Sequence, residues 1–481
     1  MKKKTKILAT IGPASDKLST IEGLIRAGAD VFRMNFSHGD HAYHSKVLAK
    51  IRQAEKKTGK KVGVLQDICG PKIRVGKLKN DFELKSGDLL EFSRDEIVGK
   101  KLEKGLYTLS INQPKVLDLL KEDEYIYLYD GNIRARVVEV GKHIVAKVEN
   151  KGILSSNKGV NFPNTKININ VITKKDEKDL LWGIENGVDF IAISFVQTSN
   201  DVLQAREIIE KNGGKVSLFA KIEKFDAVEN IDDILKVSDG LMVARGDLGI
   251  EVPYYKVPGI QKMLIKKANA ASKPVITATQ MLLSMAKNET ATRAEISDVA
   301  NAVLDGTDAV MLSEESAVGA NPVKAVITMT NTIKETEKLY PYNKFDDFKF
   351  LDETDIVTSS SARLAQDLQV KAMIILTSSG QSAKKIARYR IKSDILAVTH
   401  DEKTARTLNI VWGVNPVMSV EKKPLSKMLS SVVKKGLSSE LINLRKTYVV
   451  TAGYPTGVAG NTNFIRILHR DQLEYYRDFE E

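Results

Sequence analysis

The chain has 481 residues, 42% of them hydrophobic and 6% aromatic, which exceeds one ordinary domain and suffices for real cores. The formal net charge is +12, yet beyond a short N-terminal cluster the basic residues are scattered, which reads as a solvated surface and disfavours a nucleic-acid stripe. No stretch reaches the roughly 18 apolar residues of a membrane span, the run Ile7 to Ile11 is too short for an export signal, and Cys69 as the only cysteine excludes an intrachain disulfide, so a reducing cytoplasm is expected.

Strand and helix patterns alternate from the start. Lys6–Ile11 is a β-rich apolar run. Ser19-Thr20-Ile21-Glu22 reads as a capping box, and Gly28 suits the end of the helix it would open. Val31–Phe36 is a second strand. A helix through Val47, Leu48 and Ile51 stops at Gly59, and Val62–Gln66 is a third strand. From Pro71 to Asn168 the rhythm changes to short alternating segments, Leu89–Phe92, Tyr125–Tyr129, Arg134–Val140 and Ile144–Val148, with turns between them. This predicts an inserted all-β domain over 71–168.

Alternation then resumes. Thr173 caps a helix ending at Gly187. Phe190–Phe195, Val216–Ile222, Leu241–Ala244, Val275–Ala278 and Ala309–Leu312 read as strands, and Thr292 to Glu295 as another capping box. Eight such units predict an α/β fold with a closed (β/α)8 barrel, split into 1–70 and 169–341; an open doubly wound sheet is the alternative. After an aperiodic segment at 342–355, strands at Met373–Leu376, Ile395–Val398, Val414–Met418 and Tyr448–Thr451 predict an open α/β domain over 342–481.

In such a barrel the chemistry sits at the C-terminal strand ends. Six of them carry charged or hydroxyl groups: Arg33 to Gly39, Gln66-Asp67 leading to Lys72 and Arg74, Lys221-Ile222-Glu223, Arg245-Gly246-Asp247, Thr277 to Gln280, and Ser313 to Ser316. Lys221 and Glu223, two apart on a strand, share a face. Glu223 and Asp247, from adjacent strands, suit a hard divalent cation that keeps several waters, which is the habit of Mg2+ with phosphate ligands; Mn2+ fits the same donors. Arg33, Arg74, Arg245 and Lys221 add positive charge for an anionic substrate. Phosphoryl transfer needs mostly such positioning and charge neutralisation. His38 reads as an ordinary loop histidine and Cys69 as a small packing residue.

These segments together resemble the pyruvate kinase family. They are Thr5 to Ser15, Arg33 to Gly39, Gly70 to Arg74, Lys221 to Glu223, Met242 to Gly249, Lys273 to Leu282 and Thr292 to Gly306, and they span nearly the whole chain. The resemblance implies transfer of a phosphoryl group from phosphoenolpyruvate to ADP, giving pyruvate and ATP in glycolysis. It implies that Arg33 grips the substrate phosphate and that Lys221 stabilises the group in flight. By the same resemblance Glu223 and Asp247 would hold Mg2+. Backbone at Gly246 and Asp247, with the Thr279 hydroxyl, would orient the substrate carboxylate. Arg74, with Asn35 and His38, would lie at the nucleotide, and Thr279 and Ser313 would join the network that protonates the enolate. The β insertion would be a lid, and the assembly a homotetramer.

Departures from the family pattern carry information. Many members bind K+ with residues matching Asn35, Ser37 and Asp67, beside a threonine and near a glutamate. Ile68 and Lys72 stand at those last two positions, and the Lys72 ammonium can replace the ion, so no K+ requirement is expected. Animal members differ from this chain at Thr198, Glu314 and Ser316. In the last domain Thr377-Ser378-Ser379-Gly380-Gln381-Ser382 joins a strand to a helix, an arrangement that suits a phosphate. It resembles the family's effector pocket, with Gly453 to Gly457 as a facing loop, and predicts a sugar-phosphate or nucleotide activator. A metal-dependent barrel lyase or aldolase acting on pyruvate or phosphoenolpyruvate is the rival reading. The chain shows no nucleic-acid recognition motif.

Overall fold

The computed structural model describes residues 3–479 other than 130, 164, 166, 168, 169, 346, 347, 419, 420, 422 and 456–459. Its centre is a closed parallel barrel of β1 (Lys6–Ile11), β2 (Val31–Asn35), β3 (Gly63–Asp67), β4 (Phe190–Ile193), β5 (Ser217–Ile222), β6 (Gly240–Ala244), β7 (Val275–Ala278) and β8 (Ala309–Leu312). Each strand pairs in parallel with its sequence neighbours in the barrel, and β8 closes on β1 with Lys6 opposite Ala309. Helices cover the outside, so the strands are buried on both faces and read as continuous apolar runs.

The period of two divides each strand between two cores. Ile7, Ala9, Phe32, Ile191, Leu241 and Val243 pack outward against the helices. Leu8, Val31, Leu65, Phe190, Ala192, Phe219, Met242, Ile276, Ala309 and Met311 form a second cluster from the alternate positions and fill the barrel. Phe190 and Phe219 meet edge to face at 5.5 Å. Gly240 makes that possible, because a Cβ there would come within 2.3 Å of the Phe219 ring.

Between β3 and β4 lies the expected β insertion, a seven-stranded sheet running from Leu89–Ser93 to Val160–Asn161 and a separate pair of Phe82–Leu84 with Gly152–Leu154. Beyond the barrel, β9 (Ala372–Leu376), β10 (Asp394–Val398), β11 (Val414–Met418), β12 (Tyr448–Gly453) and β13 (Thr462–Leu468) form one sheet in the order β11-β10-β9-β12-β13. β13 is antiparallel to β12 and was not foreseen, because Asn463 and Arg466 interrupt its apolar run at an edge. Among the described residues no helix is long and apolar enough to cross a membrane.

Some helix starts carry side-chain caps and others do not. Thr292 and Glu295 form the expected reciprocal capping box, and Thr173 caps its helix as expected, in a reciprocal box with Asp176. The box expected at Ser19 does not exist: the helix Leu18–Ala27 starts two residues earlier than that box requires, with Lys17 at its N-cap and no side-chain cap. Ser19 therefore lies inside the first turn, where its backbone is already helical and its hydroxyl is not placed to cap.

Buried ion pairs tie the pieces together at the barrel floor. Arg390 reaches Asp308 at 3.1 Å and donates to Asn269 Oδ1 and the Gly306 carbonyl. Asp308 also accepts the Trp412 N–H at 3.0 Å. Glu337 accepts the N–H groups of Lys4 and Thr5, which fixes the start of β1. Asp30 pairs with Lys3, lies 3.1 Å from the Lys60 ammonium and accepts the Ile7 N–H at 2.9 Å. Burial pushes the Asp30 carboxyl up, but Lys3, Lys60 and Lys6 outweigh it and hold it well below the usual carboxylate range. A group held low contributes stability above its unfolded pKa and loses it as the pH falls. Asp30→Asn is expected to cost about 3 kcal/mol at pH 7, as breaking a buried pair does. The gap to wild type should narrow below about pH 4, the unfolded carboxyl value. Denaturant unfolding at both ends of that range checks it; an unchanged gap would mean that the charge of Asp30 is not what stabilises.

Candidate active site

The inward-facing rows that fill the barrel turn polar two residues before the mouth. Leu8 is followed on its face by Thr10, Val31 by Arg33, Leu65 by Asp67, Ala192 by Ser194, Phe219 by Lys221, and Met311 by Ser313. The same alternation that packs the interior therefore places a ring of polar groups above it.

Asp67 is the hub of that ring. Its Oδ2 receives the Arg33 guanidinium at 2.7 Å, and its Oδ1 lies 3.1 Å from the Lys221 ammonium. Lys221 also reaches Glu223 Oε1 at 2.9 Å and donates to Ser194 Oγ at 2.7 Å. Glu223 Oε2 accepts the Phe195 N–H at 2.8 Å. Arg33 donates further to Thr10 Oγ1, whose own hydrogen goes to the Leu312 carbonyl. Burial pushes the Asp67 carboxyl up, but Lys221 and Arg33 outweigh it and hold it below its ordinary value. Burial also opposes the Lys221 charge, yet Asp67 and Glu223 hold that ammonium above its ordinary value. Glu223 is different. Burial, with Asp247 and Asp67 nearby, pushes its carboxyl up to about 7 despite Lys221. Three carboxylates here face two cations, so negative charge is in excess.

That excess fits a divalent cation. Glu223 and Asp247 are hard oxygen donors from adjacent strand ends. Among the described residues no cluster of three or more His, Cys, Asp or Glu side chains forms a metal cage by itself. Two protein carboxylates would leave most of a cation's positions to water and phosphate oxygens.

The β7 end is held in an unusual backbone. Thr279 and Gln280 both have positive φ, at 69° and 56°. For a β-branched residue this is strained and needs support. Arg245 provides it. Its guanidinium donates to the Thr279 carbonyl at 2.7 Å and grips Asp298 with two contacts of 2.7 Å. Arg245 was expected to offer positive charge to substrate; Asp298 neutralises it instead. The Gly246 N–H donates to Thr279 Oγ1 at 2.8 Å, so these two substrate-carboxylate candidates already touch each other. Ser313 donates its N–H to Glu315, which also accepts from Leu282 and so joins the β7 and β8 loops.

The remaining candidates scatter. Asn35 accepts the Ser37 N–H, and His38 and Ser37 are exposed on the loop after β2. Arg74 lies on the lid side, where its guanidinium donates to the Asn157 carbonyl. Lys72 lines a small cavity between lid and barrel with Asn161, Lys224 and Glu251. Thr10 and Ser194 were given no role in the site from sequence, and Glu315 was noted only as one of the polar residues at the eighth strand end. The signal for Thr10 and Ser194 was present, since each continues an inward apolar row by two residues.

In the last sheet, Thr377 to Ser382 lie at the C-terminal end of β9. Thr377 Oγ1 accepts the Gly380 N–H, and Ser382 bonds Thr462 at 2.6 Å. Thr377, Ser378, Ser379, Gln381 and Ser382 line a cavity of about 330 Å3 with Lys385 and Arg388. Gly453 of the expected facing loop lines it too; Thr456 and Gly457 lie outside the described residues.

Comparison with known proteins is consistent along the chain. A family model described as pyruvate kinase, barrel domain, matches residues 2–326, and one described as pyruvate kinase, alpha/beta domain, matches residues 355–468. The chain is 44% identical over 476 residues to a pyruvate kinase of Geobacillus stearothermophilus, covering 97% of this chain and 80% of that one. A pyruvate kinase of Staphylococcus aureus (strain NCTC 8325 / PS 47) is 44% identical over 473 residues, with the same coverage. A crystal structure of a pyruvate kinase from Cryptosporidium parvum superposes with a TM-score of 0.90 at 35% identity, covering 97% of this chain and 96% of that one. With the closed barrel, its β insertion and the polar mouth all in place, the chain belongs to the pyruvate kinase family of phosphotransferases.

Proposed function

We propose that this chain transfers the phosphoryl group of phosphoenolpyruvate to ADP, giving pyruvate and ATP, with Mg2+ held by Glu223 and Asp247. The observation that carries the reading is the Lys221 ammonium between Asp67 and Glu223, beside Arg33. A β-phosphate oxygen of ADP attacks the phosphorus, the bond from phosphorus to the enol oxygen breaks, and the enolate takes a proton at carbon. Arg33 holds the phosphate before transfer, and Lys221 offsets its charge during transfer. Glu223 and Asp247 would hold the divalent ion, which would supply positive charge against the charge developing on the transferred group. The Thr279 hydroxyl, accepting from Gly246, is left to donate its hydrogen to the substrate carboxylate. Thr279 and Ser313 flank the route of the proton, and Arg74, with Asn35 and His38, takes the nucleotide. The insertion at 71–168 closes over the mouth and excludes water, which limits hydrolysis.

The monovalent ion is the second part of the proposal. Asp67 already has Arg33 and Lys221 as charge partners, and Ile68 and Lys72 replace the residues that would favour K+. Thr377 to Ser382, with Lys385 and Arg388 beside them, support a phosphate-bearing activator in the last domain. A cytoplasmic homotetramer is the form that the family likeness supports.

Three experiments test these statements. In a coupled assay with phosphoenolpyruvate, ADP and Mg2+, Lys221→Met should lower kcat by about 1,000-fold or more, the scale for one group acting on transition-state charge, with KM within about threefold. Near-normal turnover would remove Lys221 from the chemistry. With tetramethylammonium as sole monovalent cation the wild type should keep its turnover; a large loss restored by K+ would overturn K+ independence. Adding sugar phosphates and nucleotides in turn should shift the phosphoenolpyruvate saturation curve for at least one of them. No shift with any would count against the activator site.

A further inference from the structure

The Lys221 ammonium carries three hydrogens, and three acceptors surround it: Asp67 Oδ1, Glu223 Oε1 and Ser194 Oγ. Ser194 is the closest at 2.7 Å, and it is only 2% exposed. It has one hydrogen of its own. The Ile68 carbonyl lies 2.7 Å away, against 3.4 Å for Asp67 Oδ1, so that hydrogen goes to the carbonyl. The hydroxyl is thereby polarised one way: its lone pairs face the lysine.

We infer that Ser194 is a positioning residue for phosphoryl transfer, holding the Lys221 ammonium by a neutral acceptor so that its charge stays available to the migrating group. A carboxylate in the same place would hold the ammonium as well but would cancel charge that the phosphoryl group needs. An apolar residue would leave Lys221 to its two carboxylates and let it settle between them. Ser194 also ties the β4 end to Ile68, next to Asp67, so two strands fix the ammonium jointly. The inference rests on the reading of Lys221 given above.

The test uses the full-length enzyme with Ser194→Ala, Lys221→Arg and both together. Ser194→Ala removes one oxygen and should lower the thermal midpoint by about a few degrees, because the Ile68 carbonyl loses its donor, so the kinetics are read well below that midpoint. It should lower kcat by about 10- to 100-fold, the scale of a hydrogen bond to a charged group, while KM for phosphoenolpyruvate moves less than about threefold. In the Lys221→Arg background the same change should cost less than about twofold, because its effect runs through the lysine. A kcat for Ser194→Ala within twofold of wild type, or the same fold loss in both backgrounds, would overturn the inference. If the charge-removing Lys221→Met keeps near-normal turnover, the reading of Lys221 itself fails. If Lys221→Arg is crippled and Ser194→Ala is normal, only the positioning role fails.

Discussion

The mouth of this barrel depends on a buried charge balance centred on Asp67. Taking Asp67, Glu223, Arg33 and Lys221 out of water is costly for each group alone. It becomes tolerable because each ion meets an opposite charge within about 3 Å, and because Thr10, Ser194 and the Phe195 N–H satisfy the remaining directions. The balance is deliberately incomplete in one respect. With Asp247 counted, the negative charge exceeds the positive, and burial, with Asp247 and Asp67, raises the Glu223 carboxyl. A site in that state favours a cation and, through it, an anionic substrate.

Such a balance needs a frame that does not relax. The barrel supplies it by packing alternate residues of each strand inside and out, so that the polar layer stands on a layer of Phe190, Phe219, Met242 and Ile276. At the β7 end the frame is under strain, and the Arg245–Asp298 clamp holds two consecutive left-handed residues in place. The C-terminal sheet is fastened to the barrel floor in a similar way. Arg390 and Asp308 form one fastening, and Arg388, bound to Ser272 and Asp355, forms another beside the cavity at Thr377. That cavity is lined from the barrel side by Ala270, Ala271 and Ser272, so a ligand there would touch both bodies at once.

Much of this was legible in sequence, for specific reasons. All eight barrel strands are apolar runs bounded by glycine and polar turns, and buried parallel strands have no other way to look. Lys221, Glu223, Arg33 and Asp67 were found because they end otherwise mostly apolar strands, where a barrel places its chemistry. The insertion was visible as a change of period, but only four of its strands were. The short or exposed ones, such as Lys100–Glu103, carry no alternation to detect. The Ser19 box failed because a capping pattern two residues out of phase looks the same in one dimension.

The sequence by itself determined the architecture and the chemical types at the mouth, since burial and period act on each strand locally. Only the tertiary structure decided who pairs with whom. Arg245 and Lys221 are both cations after apolar runs, yet one faces Asp298 and the backbone while the other faces Asp67, Glu223 and Ser194. Partners of that kind come from segments tens of residues apart, and their contacts follow from the closure and stagger of the barrel, which no local pattern encodes.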